Sequence, residues 1–226
     1  MIRRVSRALH VALLSLVLAG PSAARAEAAQ SKNGAKTVSK TGIPYLPDDD
    51  SAGPPELVQA IRARRHGKLL NLDRILLHSP NYAQAWNTMF GAIRNKLSLD
   101  GRLRETAIMS IGVLNNADYE WIQHEPEYLK TGGSKEQLAA LKQNITGAEK
   151  NGKLFNEQER ATLALTREMT KNIKVSPATL KRVRSFLNDQ QLIELIGTIA
   201  GYNMVSRFAV ATGLERESDG GPAGGK

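Results

Sequence analysis

From Pro55 onward, apolar residues recur at three- and four-residue spacing, and no run of useful length alternates apolar with polar as a half-buried strand would. PELVQAIRARR opens behind Pro54-Pro55, carries Leu57, Val58 and Ile61 on one face, and ends at Gly67. LLNLDRILLHS follows, apolar at Leu69, Leu70, Leu72, Ile75, Leu76 and Leu77, and Ser79-Pro80 then starts a helix bearing Tyr82, Trp86, Met89, Phe90 and Ile93. Ser98 to Gly101 interrupt the chain before RLRETAIMSIGVL, whose Leu103, Ala107, Ile108, Ile111 and Leu114 keep the helical period. Asn115, Asn116 and Asp118 supply turn and cap chemistry, which predicts a helix from about Ala117 to about Thr131, stopped by Gly132-Gly133. Ser134 and Gln137 make a capping box for a short helix, and TGAEKNGK reads as a loop. Further helices open at Asn156-Glu157 and Ser176-Pro177, and Asn188-Asp189 cap the last, QQLIELIGTIAGYNMVSRFAVATG. The pattern predicts an all-α, compact helical bundle over residues 55–213.

The two ends read differently. MIRRVSRALH is basic, VALLSLVLAG is apolar, and Ala24-Arg25-Ala26 is a small-x-small site, so residues 1–26 are predicted to be a secretory signal peptide. The protein is then exported, to the periplasm or beyond. The apolar run is about half the roughly twenty residues a membrane helix needs, so no membrane attachment is expected after cleavage. Residues 27–54, rich in Ser, Lys, Gly, Pro and Asp, read as a flexible linker or arm in which Ile43, Tyr45 and Leu46 can act as anchors. Residues 214–226 read as a disordered tail.

Composition narrows the chemistry. The formal charge of +9 falls to +5 once the leader's Arg3, Arg4, Arg7 and Arg25 are removed. The remaining basic residues are scattered, except for Arg62, Arg64, Arg65 and Lys68, and no aromatic residues interleave them, so no nucleic-acid partner is expected. With no cysteine in the chain there is no disulfide framework, no thiol catalysis and no thiolate metal site.

Within LNNADYEWIQH, Glu120 and His124 are four residues apart and share a helix face, at the edge of a buried stripe made by Trp121, Ile122 and Leu129. The turn at Leu114 to Ala117 lets Glu105 of the preceding helix approach them. Two carboxylates around one imidazole shift one another's titration, and such a cluster exchanges protons near neutral pH. General acid–base catalysis of that kind is worth about 10² to 10⁴ in rate. On spacing alone the pair also fits a surface helix pair worth a few tenths of a kcal/mol. It fits a metal site of Glu105, Glu120 and His124 as well, though no second histidine stands at helical spacing. His66 and His78 read as helix-end residues.

RLRETAIMSIGVLNNADYEWIQHEPEYLKTGGSKEQLAAL resembles the signature of the carboxymuconolactone decarboxylase family, which includes the alkylhydroperoxidase D proteins. LLNLDRILLHSPNYAQAWNTMFGAIRNKLSLDGRLRE and ELIGTIAGYNMVSRFAVATG resemble the flanking helices, so the likeness spans about Pro55 to Gly213. The resemblance implies an alkylhydroperoxidase D-like bundle assembled as a homotrimer or homohexamer, with its active site near a subunit interface. It assigns the peroxidase branch's glutamate to Glu105 and its histidine to His124, whereas that branch's two cysteine positions hold Ala117 and Glu120. Tyr119-Glu120-Trp121 and His124 match the decarboxylase branch instead. The function it implies is that of a lyase, a decarboxylase that works without cofactor or metal on a small unsaturated lactone or carboxylic acid. His124, Glu120 and Glu105 would be catalytic, and Tyr119, Trp121 and Arg207 would bind the substrate. The other expectation is a non-catalytic oligomeric binding or scaffold protein of the same fold.

Overall fold

The computed structural model describes residues 37–218, so the expected signal peptide and the last residues of the expected tail lie outside the described part. Among the described residues, ten α-helices follow a single 3-10 turn at Asp50–Ala52: α1 (Pro55–Arg64), α2 (Asn71–Leu76), α3 (Pro80–Asn95), α4 (Gly101–Leu114), α5 (Asp118–Lys130), α6 (Lys135–Gln143), α7 (Ile145–Lys150), α8 (Glu157–Lys171), α9 (Pro177–Arg184) and α10 (Asp189–Ala211). No β-strand occurs among the described residues, only an isolated antiparallel bridge between Val38 and Pro44. None of the described helices is long and apolar enough to cross a membrane.

The helix starts follow the polar punctuation. Pro55, Pro80 and Pro177 stand in first turns, where a missing N–H costs nothing. Ser134, Asn156 and Asn188 close reciprocal capping boxes with Gln137, Glu159 and Gln191. The expected loop TGAEKNGK is in fact largely α7, which Asn144 caps through the Gly147 amide and which buries Ile145 and Ala148. Six residues with a glycine inside carry too little periodicity to be read from sequence.

Helix α4 is the hub, packed against α5, α8 and α10, and it is buried along nearly all of its length. Two apolar clusters meet on it. Ile108 and Ile111 belong to the larger, with α1 to α3 and α10, while Met109 joins Trp121, Tyr128, Leu141 and Leu163 in the smaller. The return from α4 to α5 is tight because Asn116 takes a left-handed φ of 51°, tolerable for Asn, and the Ala117 amide donates back to the Gly112 carbonyl at 2.8 Å. Gly112 lets the backbone of Trp121 come close, and this close approach sets Glu105 opposite α5.

The arm and tail differ from expectation. Residues 37–54 dock on this chain's own body: Tyr45 is buried beneath Arg74, His78 Nε2 bonds the Pro44 carbonyl at 2.8 Å, and the Lys40 amide donates to Gly213 at 3.0 Å. The domain also extends beyond Gly213, because Leu214 is buried and Glu215 and Glu217 are hydrogen bonded to the body. Charged composition hid both segments. Their anchoring rests on single apolar residues and on isolated hydrogen bonds, which leave no periodic signal.

Candidate functional site

Helix α4 presents Glu105 and the first turns of α5 present Tyr119, Glu120, Gln123 and His124, while Arg94 reaches in from α3 and Tyr202 from α10. Glu105 and Glu120 are each 1% exposed and His124 is 5% exposed, so the cluster is inside the protein and not at the edge of the buried stripe. His124 Nδ1 lies 2.8 Å from Glu105 Oε2, and its Nε2 lies 3.3 Å from Arg94 Nη1. A guanidinium only donates, so Nε2 carries the lone pair and Nδ1 the proton, which it donates to the Glu105 carboxylate. Tyr202 packs edge-on against the imidazole, ring centres 5.0 Å apart.

This arrangement corrects the sequence reading of the pair. The partner of His124 is Glu105, and neither oxygen of Glu120 has a hydrogen-bond partner. Burial, and secondarily the nearby Glu105, push the Glu120 carboxyl well above the usual carboxylate range, so it is a neutral acid. Its place in the first turn of α5 favours the anion by only about 0.3–1 kcal/mol, which the burial overrides. For His124, burial lowers the imidazole and Glu105 only partly opposes it, leaving a neutral base. Burial alone would raise Glu105, but His124, Arg94 and Arg104 together hold it below the usual range. The three expected groups therefore occupy three states: an anion, a neutral base and a neutral acid.

They face a pocket of about 520 Å³ of atom-free space, partly open to solvent, whose walls include Trp86, Phe90, Tyr202, Arg64, Arg65 and Arg94. Burial lowers the Arg64 guanidinium to about 10, so it stays charged at neutral pH, and its buried Nη2 lacks a hydrogen-bond partner beyond a 3.6 Å ion pair with Asp73. Arg94 is also charged, since Tyr202, Glu105 and Glu127 outweigh its burial. Among the described residues no group of three or more His, Asp and Glu is arranged to hold a metal ion.

Two expected residues lie elsewhere. Trp121 belongs to the smaller core, where its indole donates to Glu125 at 2.9 Å and Lys142 covers the ring. Arg207 binds the Asn203 carbonyl and side chain of its own helix and borders a separate shallow cavity beside Tyr82 and Phe208. Tyr119 does line the pocket, and Trp86 both lines it and is buried. The three arginines were missed as a site. Arg64 and Arg65 stand in the basic cluster noted in the sequence, and the buried Asp73 holds them inward at 3.6 and 3.1 Å.

Residues 80–149 match the sequence model described as the carboxymuconolactone decarboxylase family. No curated protein matches the chain. Among solved structures, an uncharacterized peroxidase-related protein from Silicibacter sp. superposes with a TM-score of 0.67 at 18% identity, over 84% of this chain and 96% of the other. The alkylhydroperoxidase AhpD core of an uncharacterized peroxidase-related protein from Ralstonia eutropha gives 0.66 at 18%, covering 78% and 93%. The debrominase Bmp8, in complex with 2,3,4-tribromopyrrole, gives 0.64 at 18%, covering 78% and 92%. The fold is therefore of the alkylhydroperoxidase D type, here without any cysteine.

Proposed function

We propose that this chain, with its carboxymuconolactone decarboxylase segment on an alkylhydroperoxidase D-like bundle, is a cofactor-free acid–base lyase acting on a small unsaturated lactone or carboxylic acid. The observation that carries the reading is one pocket holding a neutral acid with both oxygens unpartnered, Glu120, beside a neutral base fixed in tautomer, His124 on Glu105. A non-catalytic scaffold has no use for a buried carboxyl without a partner, which costs about 1–3 kcal/mol.

In a decarboxylation the C–C bond to the carboxylate breaks, its electron pair enters the conjugated lactone carbonyl, CO₂ departs, and the enolate takes a proton on carbon. Glu120 gives that proton. His124 relays its replacement from water through Nε2, and the Glu105 anion stabilises the transient imidazolium. Arg64 and Arg94 supply the positive charge that the developing enolate oxygen requires. The apolar walls, Trp86 and Phe90, hold the conjugated ring. In this reading the leader-like residues 1–26 support export, and the family resemblance supports a homotrimer or homohexamer.

The test is loss of γ-carboxymuconolactone and release of CO₂ by the purified protein beside His124→Ala. Turnover by the wild type with at least about a hundredfold loss in the variant is expected. No turnover by either rejects this substrate, and equal turnover rejects the role of His124.

A further inference from the structure

The last described residues fold back along the wall of this pocket. Leu214 is buried, the Glu215 amide donates to Tyr45 Oη at 3.1 Å, and Asn71 Nδ2 donates to the Glu215 carbonyl at 3.0 Å. These clasps deliver Glu217, whose carboxylate meets three donors. Tyr119 Oη reaches Oε1 at 2.8 Å, the Asn71 backbone N–H reaches the same oxygen at 3.0 Å, and Gln123 Nε2 reaches Oε2 at 2.7 Å. Tyr119 and Gln123 line the pocket of Glu120 and His124. Glu217 borders a second cavity with Lys68, Asn71 and Arg74, and Leu70 lines both cavities.

The donor set suits a carboxylate, because all three groups donate and both oxygens are bonded. Tyr119 is buried, and its phenol is held in the protonated, donating form by burial first and by the Glu217 anion second. Yet the occupant of so well-defined a receptor comes from an irregular segment beyond the last described helix. A segment of that kind opens locally at little cost. Exchange of one carboxylate for another conserves both the charge and the hydrogen bonds of the receptor.

Resting on the reading of the pocket as one for an unsaturated acid, we propose that Tyr119, Gln123 and the Asn71 amide form a subsite for a substrate carboxylate, which Glu217 fills until the substrate displaces it. Displacement opens the pocket past Leu70 toward the outer cavity and selects acids over neutral lactones. It also lowers the apparent affinity of the wild type by the fraction of time Glu217 is in place.

The experiment is calorimetric titration of the full chain and its variants with muconate, an unsaturated dicarboxylate, and with its neutral dimethyl ester. Glu217→Ala is expected to bind muconate at least about tenfold tighter than wild type, the ester is expected to be unaffected, and adding Tyr119→Phe is expected to remove the gain. Glu217→Gln, which keeps the size and loses the charge, carries the comparison if the alanine variant melts early. Equal muconate affinity in wild type and a folded Glu217 variant overturns the subsite, as does no binding in any of them. Tighter muconate binding without lactone decarboxylation sustains the subsite and rejects the reaction. Decarboxylation with KM unchanged in the Glu217 variants does the reverse.

Discussion

Folding shifts Glu120 toward the neutral acid, the state opposite to the one it holds in neutral water, and shifts His124 further toward the neutral base, with consequences that can be measured separately. A carboxyl raised by folding binds a proton that the unfolded chain has released. Its stabilising contribution is complete below the ordinary carboxylate range near 4.5 and is lost as pH climbs toward its folded value. Glu120→Gln keeps the shape and cannot ionise, so its melting temperature relative to wild type is expected to rise as pH climbs above 4.5; a constant difference would contradict a neutral Glu120. For Glu105 and His124, both lowered, the sign is reversed: their contribution is present above their ordinary values and is lost as pH falls through their folded ones. His124 and Glu120 frame activity. The kcat/KM profile is expected to be bell-shaped, with its acid limb below the ordinary imidazole value of 6.5 and its alkaline limb above 4.5. At this scale the sequence revealed Glu105, Glu120 and His124 as one cluster but misassigned the pairing, since helical spacing favours Glu120 whereas the α4–α5 packing brings Glu105. Arg94 stands thirty residues from His124 in the chain, and no local pattern links them.

Among elements, the α4–α5 hairpin sets the site and a polar knot holds its open end. Arg102 of α4 donates to Glu159 of α8 at 2.7 Å, to Tyr128 of α5 at 2.9 Å and to Gln137 of α6 at 2.6 Å, with its guanidinium over the Tyr128 ring. Gln137 and Glu159 double as the capping-box partners of α6 and α8, so the caps legible in the sequence are also tertiary contacts. Arg102→Ala is expected to cost about 3–5 kcal/mol in urea unfolding, because it strands a buried carboxylate. Gly133 sits under the same knot, and a methyl group there would overlap the Tyr128 ring and the Arg102 guanidinium. Gly133→Ala is expected to lose about 1–3 kcal/mol. The glycine pair was readable as a helix stop, but the steric requirement on Gly133 was not, because Arg102 and Tyr128 approach it only in the folded chain.

For the whole molecule, α10 is the least one-sided of the helices. It buries Leu192, Leu195 and Ile199 yet exposes Ile193 and Val210, while Tyr82 and Met89 of α3 are also exposed. Sedimentation at micromolar concentration is expected to give a trimer or hexamer, and a monomer would reject the assembly implied by the family resemblance. The helical character and the order of helices were legible because capping residues and 3.6-residue periodicity are local. The docked arm and the returning C-terminal residues were not, because they depend on partners distant in the chain, 34 residues away for Pro44 and His78 and 171 away for Thr41 and Thr212.

Thr41 Oγ1 bonds the Thr212 carbonyl across 171 residues, and the Glu215 amide bonds Tyr45 across 170, so the two segments flanking the helical domain are joined to each other. Those bonds close nearly the longest loop available to the described chain, and loop-closure entropy defers such contacts until the helices between them are in place. The junction is therefore the last part of the fold to assemble and the first to come apart. In native-state hydrogen exchange, the Lys40 and Glu215 amides are expected to exchange ahead of those of α4. The receptor that grips Glu217 would then be emptied and refilled within an otherwise intact protein.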